Sequence, residues 1–244
     1  MSTGSDTPPE AGSTVRQTLT RGTVGFMGLE LVALPGALVP RKETEILARL
    51  ALDVVRARTD REGPQLVVDM CTGSGNLACA VAKGVPSTTL HASDLTTDAV
   101  SVARQNVTNL ELALRVTVHQ GDLFEPLRSM GLQGKVDVVI CNPPYISTGK
   151  LEKESADLLR DEPREAFDGG PYGISIHQRV VKDALDFLKP GGVLALEVGS
   201  GQGRQVALLF SRARQYDSPT VVCDAAGSVR AVLATRSPRE RAFL

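Results

Sequence analysis

The hydrophobic and polar positions predict an alternation of β-strands and α-helices along most of the chain. Short apolar runs bounded by turn residues are typical of buried strands, whereas apolar residues that recur every three or four positions indicate helices. Strands are expected at residues 65–70, 89–94, 115–122, 136–142 and 193–199. Helices are expected at residues 41–58, 76–83, 98–110, 174–188 and 203–214. This alternation predicts an α/β domain whose largely parallel sheet carries helices on both faces.

Both ends of the chain depart from this alternation of strands and helices. Residues 1–21 are rich in Ser, Thr, Gly and Pro, so we expect a disordered tail. Residues 22–40 alternate apolar and small side chains around Pro35-Gly36, which predicts a small β-hairpin ahead of the main domain at 41–244. Residues 219–236 indicate two strands joined at 226–228. The sheet would then have seven strands, with one antiparallel strand near the C-terminus.

One long connection, residues 147–173, interrupts the alternation with charged residues, prolines and glycines. Connections of this length in compact domains are usually functional loops or disordered segments. We therefore treat this segment as a candidate lid over a substrate, because closure of a lid would exclude water from a reaction.

Composition narrows the functional classes. The 244 residues suffice for one well-packed α/β domain, and a net charge of −1 makes nucleic-acid binding an unfavoured hypothesis. Four cysteines without CxxC spacing and no secretory signal favour a reduced cytoplasmic setting. Three histidines show no metal-ligand spacing and no apolar run has membrane-spanning length, so we expect neither a metal site nor a membrane anchor.

A glycine-rich loop follows the first buried strand. Gly73, Gly75 and Ala78 fit the pattern G-x-G-x-x-G/A, in which glycines let a ligand approach the backbone and the next helix offers free N–H groups. The pattern alone is shared with dinucleotide sites. Asp69 distinguishes the candidates, because a carboxylate would repel a pyrophosphate but attract the ammonium and sulfonium groups of S-adenosylmethionine.

Acidic residues also end the next two predicted strands. Asp94 can bind ribose hydroxyls, and Asp122 can accept a hydrogen bond from an adenine amino group while Leu123 packs on the ring. Each acid alone could be an ordinary loop residue. Three acids at the carboxyl ends of three successive strands point to one crevice, so we predict a site for S-adenosylmethionine, which would leave as S-adenosylhomocysteine.

The strand at 136–142 ends in Asn142-Pro143-Pro144-Tyr145. The prolines stiffen the turn, the Pro143 carbonyl and the Asn142 amide oxygen can accept hydrogen bonds, and Tyr145 offers a flat face for stacking. A plain proline turn is the alternative interpretation. The two acceptors would bind the two hydrogens of an NH₂ group on a planar carrier. Such a nitrogen is a poor nucleophile because its lone pair is delocalised, and the two hydrogen bonds would stabilise the transition state of its attack. The segment therefore predicts N-methylation of a planar nitrogen.

These motifs occur in the order found in the HemK/PrmC family of protein N5-glutamine methyltransferases, which the chain resembles over about residues 22–235. The matching segments are residues 38–45, 67–82, 92–106, 121–127, 136–147, 162–181 and 188–203. The resemblance implies a Rossmann-like class I methyltransferase fold, S-adenosylmethionine as methyl donor, and a glutamine side-chain amide as acceptor.

The resemblance also implies roles for individual residues. Residues 71–75 would wrap the methionine part of the cofactor, Asp94 would hold the ribose and Leu123 would lie by the adenine. The predicted cofactor-binding residues are Asp69, Cys71, Thr72, Gly73, Ser74, Gly75, Asp94, Leu95, Asp122, Leu123 and Asn142. The predicted catalytic residues are Asn142, Pro143 and Tyr145. The predicted substrate-binding residues are Asn142, Pro143, Pro144, Tyr145 and Arg41, although Arg41 could equally join the hairpin to the domain or belong to a solvated helix start.

Three substrate classes follow from these observations. The first is the glutamine of the Gly-Gly-Gln motif in a peptide chain release factor. The second is a nitrogen in a small molecule or modified peptide, because family members usually carry an N-terminal helical domain that we expect this chain to lack. The third, less favoured, is the N6 atom of adenine in a nucleic acid. The pattern does not distinguish a monomer from a dimer.

Overall fold

A computed structural model describes residues 11–154 and 158–238 of the chain. The strands are β1 Thr23–Phe26, β2 Leu29–Val32, β3 Leu66–Met70, β4 Thr89–Asp94, β5 Val116–Gln120, β6 Val136–Cys141, β7 Leu188–Glu197, β8 Thr220–Cys223 and β9 Val229–Thr235. The helices are α1 Ala11–Arg21, α2 Glu45–Glu62, α3 Asn76–Gly84, α4 Thr97–Asn109, α5 Thr148–Glu154, α6 Ser175–Phe187 and α7 Gly203–Ala213. No described helix is both long and apolar enough to cross a lipid bilayer.

Seven strands form the main sheet in the order β5-β4-β3-β6-β7-β9-β8. Strands β3 to β7 pair in parallel, and β9 is antiparallel to both of its neighbours, β7 and β8. This arrangement confirms the predicted mostly parallel seven-stranded sheet with one antiparallel C-terminal strand. The strand order reverses between β3 and β6, the point at which open α/β sheets bind ligands.

The central strands are buried on both faces because each carries consecutive apolar residues. Val67 and Val138 belong to one hydrophobic core with α2, α3 and α4. Val68 and Val139 belong to a second core with α6 and α7 on the opposite face. Alternating side chains of β3 and β6 therefore anchor helices above and below the sheet, which fixes where the loops at the strand ends meet.

The N-terminal region differs from its expectation. Residues 11–21 of the expected disordered tail form α1, and residues 1–10 lie outside the described part. The predicted hairpin exists, but its turn is Met27-Gly28 rather than Pro35-Gly36. Both turn residues have positive φ, 51° and 79°, as a two-residue hairpin requires. The prediction of a turn at Pro35-Gly36 was wrong. Methionine rarely adopts a positive φ, so the sequence does not indicate a turn at Met27.

The 147–173 connection is ordered by its contacts with the end of β6. It contains α5 and two short 3₁₀ helices, at Leu158–Arg160 and Arg164–Ala166, while residues 155–157 are outside the described part. The Ile146 backbone exchanges hydrogen bonds with the segment, donating to the Phe167 carbonyl and accepting from the Gly169 amide, both at 2.8 Å. The segment thus returns to the residues that follow Tyr145, and its role as a lid stays a prediction.

Candidate active site

A cavity of ≈ 340 Å³ opens at the carboxyl ends of β3, β4, β5 and β6. Its walls also include the connection between the hairpin and α2 and the 3₁₀ helix at Arg164–Ala166. The predicted site residues that line it are Arg41, Cys71, Thr72, Gly73, Ser74, Asp94, Leu95, Asp122, Leu123, Asn142 and Pro144. Predicted residues from five separate segments therefore meet at one crevice, and four of these segments follow strand ends.

Four predicted site residues are not among the lining residues: Asp69, Gly75, Pro143 and Tyr145. Asp69 is fully buried, and its Oδ2 accepts hydrogen bonds from the Thr72 hydroxyl at 2.6 Å and the Ala78 amide at 3.1 Å. Its Oδ1 is buried without a partner among the described residues. Burial raises the pKa of Asp69 to about 7. Asp69 thus lies outside the cavity and holds the glycine loop through these two hydrogen bonds.

Asp94 joins the glycine loop to the next strand. Its Oδ2 accepts a hydrogen bond from the Gly73 amide at 2.8 Å, and its Oδ1 accepts one from the Thr96 amide at 3.3 Å. Burial raises the pKa of Asp94, and these amides partly oppose the rise. Because Asp94 also lines the cavity, its carboxylate is available to hydroxyl donors of a ligand.

Asp122 and Leu123 occupy the cavity wall after β5 with different degrees of exposure. The Asp122 side chain is 45% exposed and pairs with Arg179 at 2.6 Å between Oδ2 and the guanidinium. Leu123 is buried, has a φ of 51°, and its carbonyl accepts from the Ser93 hydroxyl at 3.1 Å. The apolar Leu123 side chain is therefore held on the wall, whereas Asp122 already has a charged partner.

The Asn142 side chain faces the cavity from the end of β6. Its Nδ2 donates to the Thr44 hydroxyl oxygen at 3.4 Å, so its Oδ1 points away from that contact. No described residue donates a hydrogen bond to the carbonyl of the adjacent Pro143. Asn142 and Pro143 thus retain the two acceptors that gripping an NH₂ group requires. Burial raises the pKa of Tyr145 to about 12, which keeps this side chain neutral.

Glycines from the 147–173 connection hold the backbone of Pro144 and Tyr145. A Cβ atom on Gly169 would lie 2.8 Å from the Pro144 carbonyl oxygen, and one on Gly173 would clash with the Tyr145 carbonyl oxygen. The Gln202 side chain donates to both the Tyr145 carbonyl, at 2.8 Å, and the Gly173 carbonyl, at 3.2 Å. Only residues without a side chain allow this close approach.

Sequence reasoning assigned no role to Glu162, a buried residue that directly precedes the cavity-lining residues 163–166. Its buried carboxylate accepts from the Val39 amide at 2.8 Å and forms an ion pair with Arg41. Burial raises the pKa of Glu162, although Arg41 opposes the rise. Arg41 therefore lines the cavity and also joins the hairpin segment to the 158–168 region. The available signal was the opposite charge of the two residues themselves, Arg41 and Glu162.

Comparison with known proteins decides the family. A family model described as "Methyltransferase small domain" matches residues 41–171. A release factor glutamine methyltransferase from Moorella thermoacetica is 39% identical over 211 residues, which cover 86% of this chain and 71% of the relative. The corresponding protein from Gloeobacter violaceus is 36% identical, covering 87% and 71%. The chain belongs to the release factor glutamine methyltransferase family. The predicted HemK/PrmC resemblance and the methyltransferase class are thereby confirmed.

Solved structures confirm the fold of this family member. A methyltransferase from Pyrococcus furiosus superposes with a TM-score of 0.60 at 15% identity, covering 92% of this chain and 98% of that chain. The ribosomal protein L11 methylase from Lactobacillus delbrueckii gives 0.55 at 18% identity, covering 84% and 83%. The Rossmann-like methyltransferase fold is shared. Across residues 11–154 and 158–238, no group of three or more His, Cys, Asp or Glu side chains could hold a metal ion.

Proposed function

We propose that the protein transfers the methyl group of S-adenosylmethionine to the side-chain amide nitrogen of the Gly-Gly-Gln glutamine in a peptide chain release factor. The observation that carries this proposal is the position of Asn142, which lines the same cavity as the glycine loop and Asp94 and uses its Nδ2 rather than its Oδ1 to contact Thr44. The names of the relatives supply the substrate class. The cavity thus combines a cofactor wall with the Asn142 amide, and the carbonyl of Pro143, the next residue in the chain, would be the second acceptor for an NH₂ group.

The cofactor wall fits S-adenosylmethionine. Residues 71–74 line the cavity just before α3, and their backbone would hold the methionine part. Asp94 would accept hydrogen bonds from the ribose hydroxyls, and Leu95 and Leu123 would flank the adenine. Asp122 would reach the adenine amino group if it loosens its pair with Arg179. When bound, the cofactor supplies an electrophilic methyl carbon on a sulfonium.

The residues predicted to bind the substrate, here called the substrate wall, would bind and orient the glutamine nitrogen. Asn142 Oδ1 and the Pro143 carbonyl would accept the two N–H groups of the glutamine amide. As the nitrogen attacks the methyl carbon, the carbon–sulfur bond would break and S-adenosylhomocysteine would leave. The nitrogen becomes more positive and its hydrogens become stronger donors, so both acceptors bind the transition state more tightly than the ground state. One of these hydrogens would then leave the nitrogen as a proton to water. Pro144 and Tyr145 would pack against the glutamine stem, and Arg41 would contact the release factor at the cavity mouth. Orientation of nitrogen, methyl carbon and sulfur in line supplies further acceleration.

We also propose the cytoplasm as the compartment. The cysteines Cys71, Cys79, Cys141 and Cys223 are free thiols. A reducing compartment maintains free thiols.

The deciding experiment measures transfer from labelled S-adenosylmethionine to a purified release factor, with the modified residue located by peptide mass mapping. We expect one methyl group on the Gly-Gly-Gln glutamine and a kcat about 100- to 1000-fold lower for Asn142→Ala, as for loss of one transition-state contact. Cofactor affinity, measured by calorimetry, should change far less. Cofactor binding by the wild-type enzyme without any transfer to the release factor would reject the proposal.

A further inference from the structure

A buried asparagine joins the glycine loop to the N-terminal hairpin. Asn106 lies in α4, is 1% exposed and is not among the residues that line the cavity. Its Nδ2 donates hydrogen bonds to the Ser74 carbonyl at 2.9 Å and to the Val32 carbonyl at 3.2 Å. Its Oδ1 accepts a hydrogen bond from the Val32 amide at 2.6 Å. One side chain thus contacts three backbone groups in two separate segments, β2 and the glycine loop.

The three backbone partners fix the orientation of the Asn106 amide. A backbone N–H only donates and a backbone carbonyl only accepts, so the Val32 amide faces Oδ1 and the two carbonyls face the two hydrogens of Nδ2. If the amide were turned over, Nδ2 would face the Val32 N–H, and Oδ1 would face two carbonyl oxygens. All three hydrogen bonds would then be lost. Strand β2 therefore determines which end of the Asn106 side chain reaches Ser74.

The peptide between Ser74 and Gly75 is held at both of its polar ends. Its carbonyl accepts from Asn106, and its N–H, on Gly75, donates to the Thr72 carbonyl at 2.8 Å. Helix α4 also packs closely against the loop, because a Cβ atom on Gly75 would lie 3.2 Å from the Ala103 Cβ. The orientation of this peptide is thus set by one contact inside the loop and one from α4.

The other polar contacts of the loop do not replace Asn106. Asp94 accepts from the Gly73 amide, and Asp69 accepts from the Thr72 hydroxyl and the Ala78 amide. Among the described residues, Asn106 is the one donor to the Ser74 carbonyl. Ser74 is 2% exposed, so loss of this donor would leave a buried acceptor without a partner. Rotation of the peptide toward the cavity would relieve that cost, because Ser74 also lines the cavity.

We propose that Asn106 is a positioning residue for the cofactor, which keeps the Ser74 carbonyl turned toward α4 and away from the methionine part of S-adenosylmethionine. The inference rests on the proposed binding of that part by residues 71–74. A carbonyl oxygen turned into the cavity would face the carboxylate of the methionine part, and two negatively polarised groups repel each other. Asn106 does not line the cavity itself and acts through the glycine loop.

The first test measures binding of S-adenosylhomocysteine by calorimetry, which requires no release factor. Asn106→Leu keeps a branched side chain of similar length and removes all three hydrogen bonds, so Kd should rise about 10- to 100-fold, as expected when a buried acceptor loses its donor. Ionised Asn106→Asp keeps the acceptor for the Val32 amide but has no hydrogen for Ser74, so Kd should rise by a similar factor. Values of Kd close to that of the wild type in both variants would overturn the inference.

Val107→Ala is the matched control for packing in the same helix. Val107 is the next residue of α4, is 4% exposed and belongs to the hydrophobic core. Its truncation should lower the melting temperature, because it leaves a cavity in that core. It should leave Kd within about twofold of that of the wild type, because the Asn106 hydrogen bonds remain. An equal rise of Kd in Val107→Ala and Asn106→Leu would indicate a general packing defect and would reject the positioning role.

The second test observes the loop itself by amide hydrogen exchange. The Gly75 amide donates to the Thr72 carbonyl and should exchange slowly in the wild type. In Asn106→Leu it should exchange at least about tenfold faster, because the peptide no longer keeps one orientation. The Thr72 amide, which donates to the Ser93 carbonyl at 3.0 Å, is the internal control and should exchange at an unchanged rate. Fast exchange of Gly75 in the wild type, or equal acceleration of both amides in the variant, would contradict the inference.

Turnover separates positioning from loss of folded enzyme and from the proposed function. In Asn106→Leu, KM for S-adenosylmethionine should rise with Kd, whereas kcat at saturating cofactor should stay within about threefold of the wild type. A smaller folded fraction would instead lower kcat at an unchanged Kd, and would overturn the inference. A wild type that binds S-adenosylhomocysteine but methylates no release factor would reject the proposed substrate, and the Kd of Asn106→Leu would still decide the role of Asn106. A wild type without affinity for S-adenosylhomocysteine would reject both.

Discussion

The two walls of the cavity are assembled in different ways. On the cofactor wall, the hydrogen bonds of Asp69 and Asp94 span short distances along the chain: 3 residues to Thr72, 9 to Ala78 and 21 to Gly73. These contacts lie within one β-α-β unit. The cofactor wall can therefore take shape as soon as β3, α3 and β4 pack together.

The substrate wall depends on contacts between distant parts of the chain. Asn142 and Thr44 are 98 residues apart, Arg41 and Glu162 are 121 apart, and Gln202 reaches back 57 residues to the Tyr145 carbonyl. Closing such long loops requires the completed sheet. Substitutions at these junctions should therefore impair turnover while leaving cofactor binding intact. Substitutions of cavity-lining residues within the β-α-β unit should instead weaken cofactor binding.

Among the substitutions that compare the assembly of the two walls, Gly173→Ala should have the largest effect. The added Cβ would clash with the Tyr145 carbonyl and lie 2.9 Å from Gln202 Nε2, which would push the Asn142-Pro143-Pro144-Tyr145 segment out of place. A displacement of about 1 Å near the chemistry costs roughly 100-fold in rate, so kcat should fall by about that factor. Calorimetry should show a cofactor affinity within about threefold of that of the wild type, because the cofactor wall does not depend on the contact between Gly173 and Tyr145.

Gly201→Ala is the matched control for this change. Gly201 has a φ of +80°, comparable to the +70° of Gly173, but a Cβ there would meet nothing within 4 Å. Both variants carry the strain of a left-handed alanine, about 1 kcal/mol, and only Gly173→Ala adds the clash. Equal kcat losses in the two variants would mean that backbone strain, rather than the junction with Tyr145, explains the defect.

An intermediate effect is expected on the cofactor wall from Asp94→Asn. The change removes the charge that would accept from the ribose hydroxyls and weakens the bond from the Gly73 amide, so Kd for S-adenosylmethionine should rise about 10- to 100-fold. KM for the release factor should stay nearly constant. Asp122→Asn serves as comparison, since its exposed side chain already pairs with Arg179 and should matter less. A larger Kd increase in Asp122→Asn would reverse the assigned order.

Most of the fold was predictable because the relevant signals are local. Strand β4 lies at the predicted residues 89–94, and the other main-sheet strands and helices lie close to their predicted positions. Apolar runs and the glycines and prolines between them determine such elements without reference to the rest of the chain. The hairpin turn was misplaced because Met27 adopts a positive φ, which propensity does not favour. Helix α1 was missed because its polar composition resembles that of a linker.

The site was predictable where a general rule places residues at strand ends. Asp94, Leu123 and Asn142 follow that rule and all line the cavity. Glu162 and Thr44 were not assigned roles because their contacts with Arg41 and Asn142 depend on how distant segments pack. The sequence pattern also could not predict the direction of the Asp69 side chain, because a carboxylate at that position can face either a ligand or its own loop.

The smallest expected effect concerns Asp69, and it distinguishes a carboxylate that only stabilises the loop from one that attracts the cofactor. Its pKa is about 7 in the folded protein, above the value of about 3.9 in an unfolded chain. A raised pKa contributes stability that is complete below about pH 3.9 and is lost as the pH rises through about 7, so ionised Asp69 weakens the fold at alkaline pH. An asparagine side chain at this position does not titrate, and its amide oxygen can still accept from Thr72 and Ala78.

Relative to the wild type, the unfolding free energy of Asp69→Asn should therefore rise by about 2 to 3 kcal/mol between about pH 5 and about pH 8.5, which thermal unfolding at each pH would measure. Asp137→Asn is the matched control, because this nearly buried carboxylate already pairs with Lys189. If Asp69 only shapes the loop, cofactor affinity near pH 6 should change less than about threefold. A loss of cofactor affinity of about tenfold with no pH-dependent gain in stability would instead mean that the Asp69 charge attracts the cofactor directly, as the sequence pattern indicates.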